Sequence, residues 1–368
     1  MATPRLKVGI LGATGMVGQR FLTLLEHHPW FTVTVLAASA SSAGKTYAQA
    51  VNGRWALSAP LPTKYASMTV LDASQVSEIA AQVDFVFCAV DMKKDEILAL
   101  EDAYAKAEVP VVSNNSAHRW TPDVPMIIPE LNPEHAQVIT DQRKRLGTKV
   151  GFVTAKPNCS IQSYVPLLHA LREFGVKEVS VCTYQAISGA GKTFASWPEM
   201  VDNVIPHIGG EDEKSETEPL KIWGTVKNGR IEPASSPKIG AQCIRVAASD
   251  GHLAAVSVNF ERKPTREQIL ERWSKLSGAP QASRLPSAPV PFVHVKEEDN
   301  RPQTRLDRDL GNGMAISVGR LRPDNLFDWK FVGLSHNTVR GAAGGAVLTA
   351  EFLASEGWIP AKMRRSRI

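Results

Sequence analysis

One cysteine near the middle of the chain has the setting of a nucleophile. Cys159 follows Pro157 and Asn158 at the predicted start of a helix, in the run KPNCS. Free backbone N–H groups at such a start stabilise a thiolate and lower the pKa of the thiol. Among the nine histidines, His252 in the polar segment SDGH is an attractive proton partner, although composition alone does not select it. A small thiol in a turn can also be purely structural.

The other three cysteines indicate reduced thiols. Cys88 and Cys182 lie in apolar, strand-like segments and are expected to be core residues, and Cys243 flanks a strand. The sequence contains no C-x-x-C pair, so neither a disulfide framework nor a zinc site is expected. We therefore expect no bound metal and a reducing compartment, the cytoplasm.

A glycine-rich turn near the amino terminus predicts a dinucleotide site. The segment GILGATGMVG, residues 9–18, lies between an apolar strand and a segment with helical spacing. Its glycines let the backbone approach a pyrophosphate, and the helix start offers free N–H groups. The residues expected to hold the cofactor here are Gly12, Thr14, Gly15, Met16 and Val17. An ordinary tight turn between a strand and a helix is the alternative.

The end of the second predicted strand favours NADP over NAD. An NAD site usually has an acidic residue there for the ribose 2′-hydroxyl. The segment AASASSAGK, residues 37–45, has no acid and offers Ser39, Ser42 and Lys45. Hydroxyl and ammonium groups suit a 2′-phosphate. The alternative is that these serines only cap a turn.

A second glycine-containing segment suggests a different enzyme class. Residues 186–193, AISGAGKT, match a relaxed phosphate-loop pattern in which Ala186 replaces the first glycine. A nucleotide triphosphatase would use Lys192 on phosphates and Thr193 on Mg²⁺. Against it, the run FASWP interrupts the following helical pattern, and no strand ends on an obvious second magnesium ligand.

The composition is that of a folded protein with two domains. The chain has 368 residues, and a domain takes roughly 150. Apolar residues at 43% and charged residues at 21% exclude wholesale disorder. No apolar run approaches the roughly 18 residues of a membrane-spanning helix, and no export signal begins the chain. The net charge of +5 is mostly interleaved, and the basic cluster at residues 362–368 is typical of a solvated tail. Neither nucleic acid nor a membrane is an expected partner.

The order of the elements predicts an α/β protein. Apolar strands at 6–11, 32–38, 83–90, 110–113 and 151–155 alternate with helical segments such as 95–107. This alternation indicates an N-terminal Rossmann-type doubly wound parallel sheet. A helix from Ile161 to about Phe174 and long strands at 176–187, 241–248 and 254–261 then indicate an α+β catalytic and dimerisation domain with a mixed sheet.

The remaining segments set the expected domain boundaries. The Pro- and Ser-rich segment 278–302 is expected to be an extended surface loop. The small-residue segment 338–357 is expected to form a helix that returns to the first domain. The predicted domains are therefore 1–157 plus 336–368 for NADP binding, and 158–335 for catalysis and dimerisation.

Several motifs together carry a family resemblance. GILGATGMVGQRF, SNNSAHRW, KPNCS, TYQAISGAGK and RVAASDGH occur in this order over nearly the whole chain. They resemble the aspartate-β-semialdehyde dehydrogenases, and residues 113–120 and 301–307 resemble the archaeal and fungal branch. The resemblance implies reduction of β-aspartyl phosphate by NADPH to aspartate semialdehyde, NADP and phosphate. This reaction supplies the precursor of threonine, methionine, isoleucine and lysine. It also implies a homodimer or homotetramer.

The resemblance assigns expected roles to individual residues. It implies that Cys159 is the nucleophile, His252 the acid/base catalyst and Gln185 the residue that positions the acyl group. It places Arg245 on the substrate α-carboxylate, Glu211 and Lys214 on the amino group and the phosphate, and Arg119 and Asn158 on the phosphate. It places Asn337 on the nicotinamide amide and implies that Ser188 and Gly189 bind the cofactor.

Related acyl reductases are the nearest alternative to this assignment. Malonyl-CoA reductase and N-acetylglutamyl-phosphate reductase resemble the same scaffold. Glu211 separates them, because a free α-amino group favours a carboxylate whereas an acetylated amine or a malonyl thioester does not. A catalytically inactive dinucleotide-binding module would require the loss of a chemical residue, and none is lost.

Overall fold

The first part of the chain is built on a parallel sheet. The computed structural model describes residues 5–362, so the predicted basic tail lies outside the described residues apart from Lys362. Six strands pair in the order β3-β2-β1-β4-β5-β6. They are β1 (Leu6–Leu11), β2 (Phe31–Ala38), β3 (Val70–Asp72), β4 (Phe85–Cys88), β5 (Val111–Ser113) and β6 (Val153–Ala155). The order reverses between β1 and β4, and in such sheets ligands bind outside the carboxyl ends of the strands at this point.

Helices cover both faces of this sheet. They are α1 (Met16–Leu25), α2 (Tyr47–Ala50), α3 (Thr63–Ala66), α4 (Val76–Ala80), α5 (Lys94–Lys106) and α6 (Ile139–Leu146), with a 3₁₀ turn at Pro133–Val138. Near the end of the chain a π-helical turn, Val339–Ala343, continues into α12 (Gly344–Ser355). Val347 and Phe352 of α12 share a core with Phe21 of α1 and Phe87 of β4. The closing helix therefore packs on the first sheet.

The second part of the chain is built on a seven-stranded mixed sheet, ordered β13-β14-β15-β12-β7-β11-β8. Its strands are β7 (Val176–Gln185), β8 (Val204–Ile205), β11 (Lys238–Val246), β12 (His252–Phe260), β13 (Val293–Val295), β14 (Ile316–Pro323) and β15 (Trp329–Ser335). The helices are α7 (Val165–His169), α8 (Glu211–Ile222), α9 (Arg266–Ser274), α10 (Ala279–Ala282) and α11 (Thr304–Asp307). A small hairpin joins β9 (Thr225–Lys227) and β10 (Arg230–Glu232). The predicted fold class, a Rossmann-type sheet plus a mixed-sheet domain, is confirmed.

Strand β7 shows that one face of the second sheet is covered and the other is open. Val179 and Val181 are buried among α7 and α9 residues, whereas Ser180 and Tyr184 point to the exposed face. Cys182 lies on this open face and is half-buried, so the expectation that it is a core residue is wrong. The reason is the two-residue period of a strand, which puts Cys182 opposite its buried neighbours.

Three further predictions, for the helix after Cys159, for the segment 278–302 and for Cys243, differ from the structure. The predicted helix from Ile161 to Phe174 is broken into a 3₁₀ turn at Ser160–Ser163, α7 and a 3₁₀ turn at Arg172–Phe174. Pro166 lacks the N–H that a continuous helix would need. The segment 278–302 is no extended surface loop, since it contains α10 and β13 and buries Leu285 and Phe292. Cys243 lies within β11 and is buried rather than flanking the strand.

A buried ion pair joins the closing helical segment to the loop before the 3₁₀ turn at 133–138. Arg340 donates to both carboxylate oxygens of Glu130 at 2.6 and 2.8 Å. Both side chains are almost completely buried. The guanidinium also stacks on the ring of Phe292. The pair therefore connects three segments that are far apart in sequence.

We expect Arg340→Met to destabilise the protein by about 3–5 kcal/mol, because it leaves the Glu130 carboxylate buried without a partner. The free energy of unfolding in urea measures this loss. Lys275→Met is the matched control, since Lys275 pairs with Glu271 on the surface at 2.6 Å and both side chains are exposed. An exposed pair of this kind contributes little. Equal effects of the two substitutions would contradict the assignment of Arg340 and Glu130 as a coupled buried pair.

Candidate active site

A cleft of about 370 Å³ lies at the carboxyl ends of β5 and β6, between residues of both parts of the chain. All the residues predicted for catalysis and substrate binding except His252 line it, namely Arg119, Asn158, Cys159, Gln185, Glu211, Lys214 and Arg245. Four residues predicted for the cofactor line it as well, Val17, Ser188, Gly189 and Asn337. The cleft therefore brings together residues that are spread over most of the sequence.

Cys159 faces this cleft from the segment that follows β6. Its Sγ lies 3.5 Å from His252 Nε2. Gly341, on the π-helical turn, packs against it so closely that a Cβ on Gly341 would lie 2.7 Å from the Cys159 Cβ. Only glycine at position 341 leaves the sulfur-bearing residue in this position.

The pKa of Cys159 departs from expectation. Burial raises the pKa of the thiol to about 11, Glu211 adds to the effect, and Lys156, Arg119 and Arg245 oppose it. The prediction that a helix start lowers this pKa is wrong for the free protein. The element after Cys159 is a 3₁₀ turn of four residues, and its first N–H, on Ser160, already donates to Asn158 Oδ1 at 2.8 Å. Little of the expected partial positive charge remains for the sulfur.

His252 is the first residue of β12 and is completely buried. Its Nδ1 accepts the Ala186 N–H at 3.0 Å, so the neutral ring carries its proton on Nε2, the atom nearest to Cys159. Burial, followed by the charge of Arg245, lowers the pKa of His252 to about 3. The imidazole is therefore neutral at physiological pH and points an N–H at the sulfur.

Glu211 organises one wall of the cleft from the first turn of α8. Its carboxylate accepts hydrogen bonds from Lys214 Nζ at 2.8 Å, Asn158 Nδ2 at 3.0 Å and Gln185 Nε2 at 3.2 Å. Burial opposes ionisation of Glu211, but the Lys214 ammonium and these hydrogen bonds outweigh it, so the pKa is lowered. An ionised carboxylate therefore lines the cleft.

Arg245, at the end of β11, supplies an opposite charge. Its Nη1 donates to the Ala186 carbonyl at 2.7 Å, and within residues 5–362 no carboxylate forms an ion pair with it. A Cβ on Gly189 would lie 2.8 Å from Nη1, so a larger residue there would displace the guanidinium from this position. The cleft thus contains a cation that is free to bind an anionic group.

Arg119 and Asn158 line the cleft with most of their polar atoms already engaged. Arg119 donates to Glu218 at 2.8 Å, to the Lys156 carbonyl at 2.9 Å and to the Asn114 carbonyl at 3.3 Å. Glu218 also accepts the Asn158 N–H at 2.6 Å. Sequence reasoning missed Glu218, which is one of several acids in EDEKSETE, and Lys156, which was visible in KPNCS.

The glycine-rich turn lines a neighbouring cavity of about 510 Å³ at the carboxyl ends of β1 and β4. Gly12 has φ +85°, and a Cβ there would lie 2.2 Å from the Ala89 carbonyl oxygen. Thr14 and Gly15 line the cavity with Gly12, so the backbone is open to a dinucleotide phosphate. Met16 lies apart, in an adjoining cavity of about 250 Å³ that also contains Ser188.

The residues predicted for the 2′-phosphate are only partly assembled. Ser39 lines the 510 Å³ cavity, whereas Ser42 is buried and the Lys45 ammonium donates to the Ser41 carbonyl at 2.9 Å. The cavity instead contains Arg54, which sequence reasoning missed because it lies in an irregular segment after α2. Ser39 and Arg54 therefore line the same cavity, and Arg54 Nη2 donates to the Ala50 carbonyl.

Asn337 and the segment 186–193 close the remaining side. Asn337 accepts the Gly251 N–H and donates to Ser188 Oγ, each at 2.8 Å. Residues Ile187–Ala190 form a 3₁₀ turn after β7, and no α-helix begins at Lys192. The strand–loop–helix arrangement of a phosphate loop is therefore not formed by these residues.

Residues 5–362 contain neither a metal-binding cluster nor a membrane-spanning helix. No group of three or more His, Cys, Asp or Glu side chains in this range is placed to hold a metal ion. None of the helices in this range has the length and apolar character of a membrane-spanning segment.

Comparisons with known proteins agree with this arrangement. The family profile "Semialdehyde dehydrogenase, NAD binding domain" matches residues 7–139, and "Semialdehyde dehydrogenase, dimerisation domain" matches residues 166–340. The aspartate-semialdehyde dehydrogenase of Archaeoglobus fulgidus is 43% identical over 96% of this chain and 99% of its own. That of Aspergillus fumigatus is 40% identical over 97% of this chain and 99% of its own.

A solved structure gives the same result for the fold. The crystal structure of aspartate semialdehyde dehydrogenase with NADP from Candida albicans is 37% identical, has a TM-score of 0.86, and covers 97% of this chain and 100% of its own. The fold and the cleft define an oxidoreductase with a dinucleotide-binding domain and a semialdehyde dehydrogenase dimerisation domain. The chain belongs to the aspartate-semialdehyde dehydrogenase family. The resemblance read from the sequence, with its archaeal and fungal relatives, is confirmed.

Proposed function

We propose that the protein reduces β-aspartyl phosphate with NADPH to aspartate semialdehyde, NADP and phosphate, through a thioester on Cys159. The observation that carries the proposal is the pair formed by Cys159 Sγ and His252 Nε2, 3.5 Å apart at a cleft with charged walls. An acyl phosphate is attacked well by a soft thiolate, and phosphate is then the leaving group. The product would supply threonine, methionine, isoleucine and lysine synthesis.

The charged walls of the cleft support the choice of substrate. Arg245, which has no carboxylate partner in the described part of the chain, would bind the α-carboxylate. The ionised Glu211 suits a free α-ammonium group, and this favours an aspartyl over a malonyl or N-acetylglutamyl substrate. Lys214, Arg119 and Asn158 would receive the phosphate, and for the first two this requires an exchange of existing hydrogen bonds.

The residues around the Cys159 sulfur have separate roles in the proposed reaction. Gln185, at the end of β7, would hold the acyl group beside Cys159. His252 would donate a hydrogen bond from Nε2 to the attacking Cys159 thiolate, and again to the thiolate that leaves when the tetrahedral intermediate collapses to the aldehyde. Bound NADPH supplies the hydride for reduction of the thioester. Ser188, Gly189 and Asn337 would hold the nicotinamide end, since they line the same cleft as Cys159.

The choice of NADP is supported by Ser39 and Arg54 in the 510 Å³ cavity and by the Candida albicans relative, whose crystal structure was solved with NADP. Gly12, Thr14 and Gly15 would contact its pyrophosphate.

Assembly as a homodimer or homotetramer is supported by the matched dimerisation domain and by the open face of the second sheet, where Tyr184 and Val204 are exposed. A cytoplasmic location is supported by four cysteines that are all unpaired.

The reverse reaction tests this proposal. We expect aspartate semialdehyde to reduce NADP only when phosphate is present, followed by the absorbance of the reduced nicotinamide. NAD should give a lower kcat/KM. Malonate semialdehyde and N-acetylglutamate semialdehyde serve as competing aldehydes. Faster turnover of either one, or reduction that is independent of phosphate, would contradict the proposed substrate.

A further inference from the structure

Lys156 is a buried lysine that the proposed reaction leaves without a role. It follows β6 directly and is only 3% exposed. Its N–H donates to the Ser113 carbonyl at 2.7 Å, and its carbonyl accepts from Arg119 Nε at 2.9 Å. The backbone is therefore held on both sides, and the side chain is buried.

Two glycines of the closing helical segment locate the Lys156 ammonium. A Cβ on Gly341 would meet the Cys159 Cβ at 2.7 Å, and a Cβ on Gly345 would meet Lys156 Cε at 2.4 Å and Nζ at 3.1 Å. Gly341 lies in the π-helical turn and Gly345 in the first turn of α12, four residues further on, a rise of roughly 6 Å along a helix axis. Lys156 and Cys159 therefore contact the same short helical segment about one turn apart. The space left beside it is about 10 Å³, at the lower limit for one water molecule.

The charges around Lys156 do not balance. Arg340 is paired with Glu130 at 2.6 Å, and Arg119 is paired with Glu218 at 2.8 Å. Within residues 5–362, no carboxylate lies within ion-pair distance of the Lys156 ammonium. A buried charge without a counter-charge is costly. The Cys159 thiol lies close enough to interact electrostatically with Lys156, and its thiolate would supply the missing negative charge.

We propose that Lys156 is a positioning residue whose ammonium supplies the counter-charge for the Cys159 thiolate. The proposal rests on the proposed function in one respect, that Cys159 reacts as a thiolate. An opposite charge about 4–6 Å away lowers the pKa of a group by about 1–3 units. The thiolate therefore forms more readily beside a charged Lys156, and the ammonium is retained more readily beside a thiolate.

The surrounding charged groups are consistent with this coupling. Burial, followed by the charge of Arg340, lowers the pKa of Lys156 to about 7, while Cys159 and Glu218 oppose that shift. On the side of the sulfur, Glu211 raises the pKa of the thiol and Arg245 lowers it. The neutral imidazole of His252 contributes a hydrogen bond but no charge. Loss of the Cys159 proton therefore favours protonation of Lys156.

Alkylation of Cys159 by iodoacetamide measures the thiolate directly and needs no turnover. We expect Lys156→Met to raise the pH midpoint of the alkylation rate, so that the rate near neutral pH falls about tenfold for each unit of pKa. Mass spectrometry of the Cys159 peptide separates this reaction from that of the half-buried Cys182. Lys156→Arg keeps the charge and should return the midpoint toward that of the wild type. Lys156→Gln gives a second neutral variant.

Lys221→Met is the matched control for loss of a buried lysine. Lys221 is 1% exposed, and its Nζ donates to the carbonyls of Arg119, Thr121 and Val124 at 2.6 to 3.0 Å. Its loss should destabilise the fold and leave the alkylation midpoint in place. Lys156→Met should keep a stable fold, because it removes a buried ion without a carboxylate partner.

The outcomes separate this proposal from the proposed reaction. An unchanged midpoint in the neutral Lys156 variants would overturn the role of Lys156, as would an equal shift in the Arg and Met variants. The thioester on Cys159 would still stand in both cases, because it is tested by the activity of variants at position 159. Turnover without Cys159 would instead overturn the proposed function.

Discussion

Replacing Cys159 with alanine should abolish phosphate-dependent turnover while leaving NADPH binding intact. The alanine variant has no atom to form the thioester, so the route through a covalent intermediate is lost. We expect kcat to fall by at least about 10⁴-fold, the scale seen when a covalent nucleophile is removed. Cys159 does not line the 510 Å³ cavity of the glycine-rich turn, so most cofactor contacts remain. Steady-state rates and titration of tryptophan fluorescence with NADPH measure the two effects.

Cys182→Ser provides the control for loss of a thiol. Cys182 lies on the open face of β7, outside the cleft, and is half-buried. We expect this variant to keep activity close to that of the wild type. The alanine variant must be produced in a host without an enzyme of its own for this reaction. Substantial turnover by Cys159→Ala under those conditions would rule out the thioester.

The features that the sequence predicted well are those set by local patterns. The apolar run FVFC is typical of a buried parallel strand and forms β4, and the glycine-rich turn lies where β1 meets α1. A backbone conformation that favours glycine, such as that of Gly12, can be recognised from the glycine in the sequence. The sequence could therefore locate the cofactor cavity, since both signals lie within one short segment.

Interactions between distant segments could not be predicted in this way. Arg340 and Glu130 are 210 residues apart, and Arg119 and Glu218 are 99 apart. Nothing in the local pattern around any of them identifies a partner. The pKa of Cys159 was mispredicted for the same reason, because it depends on burial and on Glu211, which only the tertiary fold supplies. Arg54 was missed because an irregular segment carries it into the cavity.

His252→Asn should reduce kcat by about 10²–10⁴-fold, the usual contribution of a positioned acid/base group. Asparagine Oδ1 can still accept the Ala186 N–H, which His252 Nδ1 accepts at 3.0 Å, but no atom replaces Nε2 beside the sulfur. The fold should therefore persist while the chemistry slows. Single-turnover rates of acylation and of reduction, measured separately, show which half-reaction depends on the imidazole. Unchanged rates in both would contradict a role of the imidazole in either half-reaction.

The same variant reports on the protonation state of the imidazole. The pKa of His252 is lowered from 6.5 to about 3 in the folded protein, so between these values the unfolded chain binds a proton that the folded chain does not. Folding stability therefore falls as the pH falls below 6.5, and this contribution is complete near pH 3. At about pH 5 the cost is about 2 kcal/mol relative to about pH 7.5. Urea unfolding at both values should show that the asparagine variant loses about 2 kcal/mol less than the wild type on acidification. Equal losses would mean that His252 is charged in the folded protein at the lower pH, and its Nδ1 could then no longer accept the Ala186 N–H that directs Nε2 at Cys159.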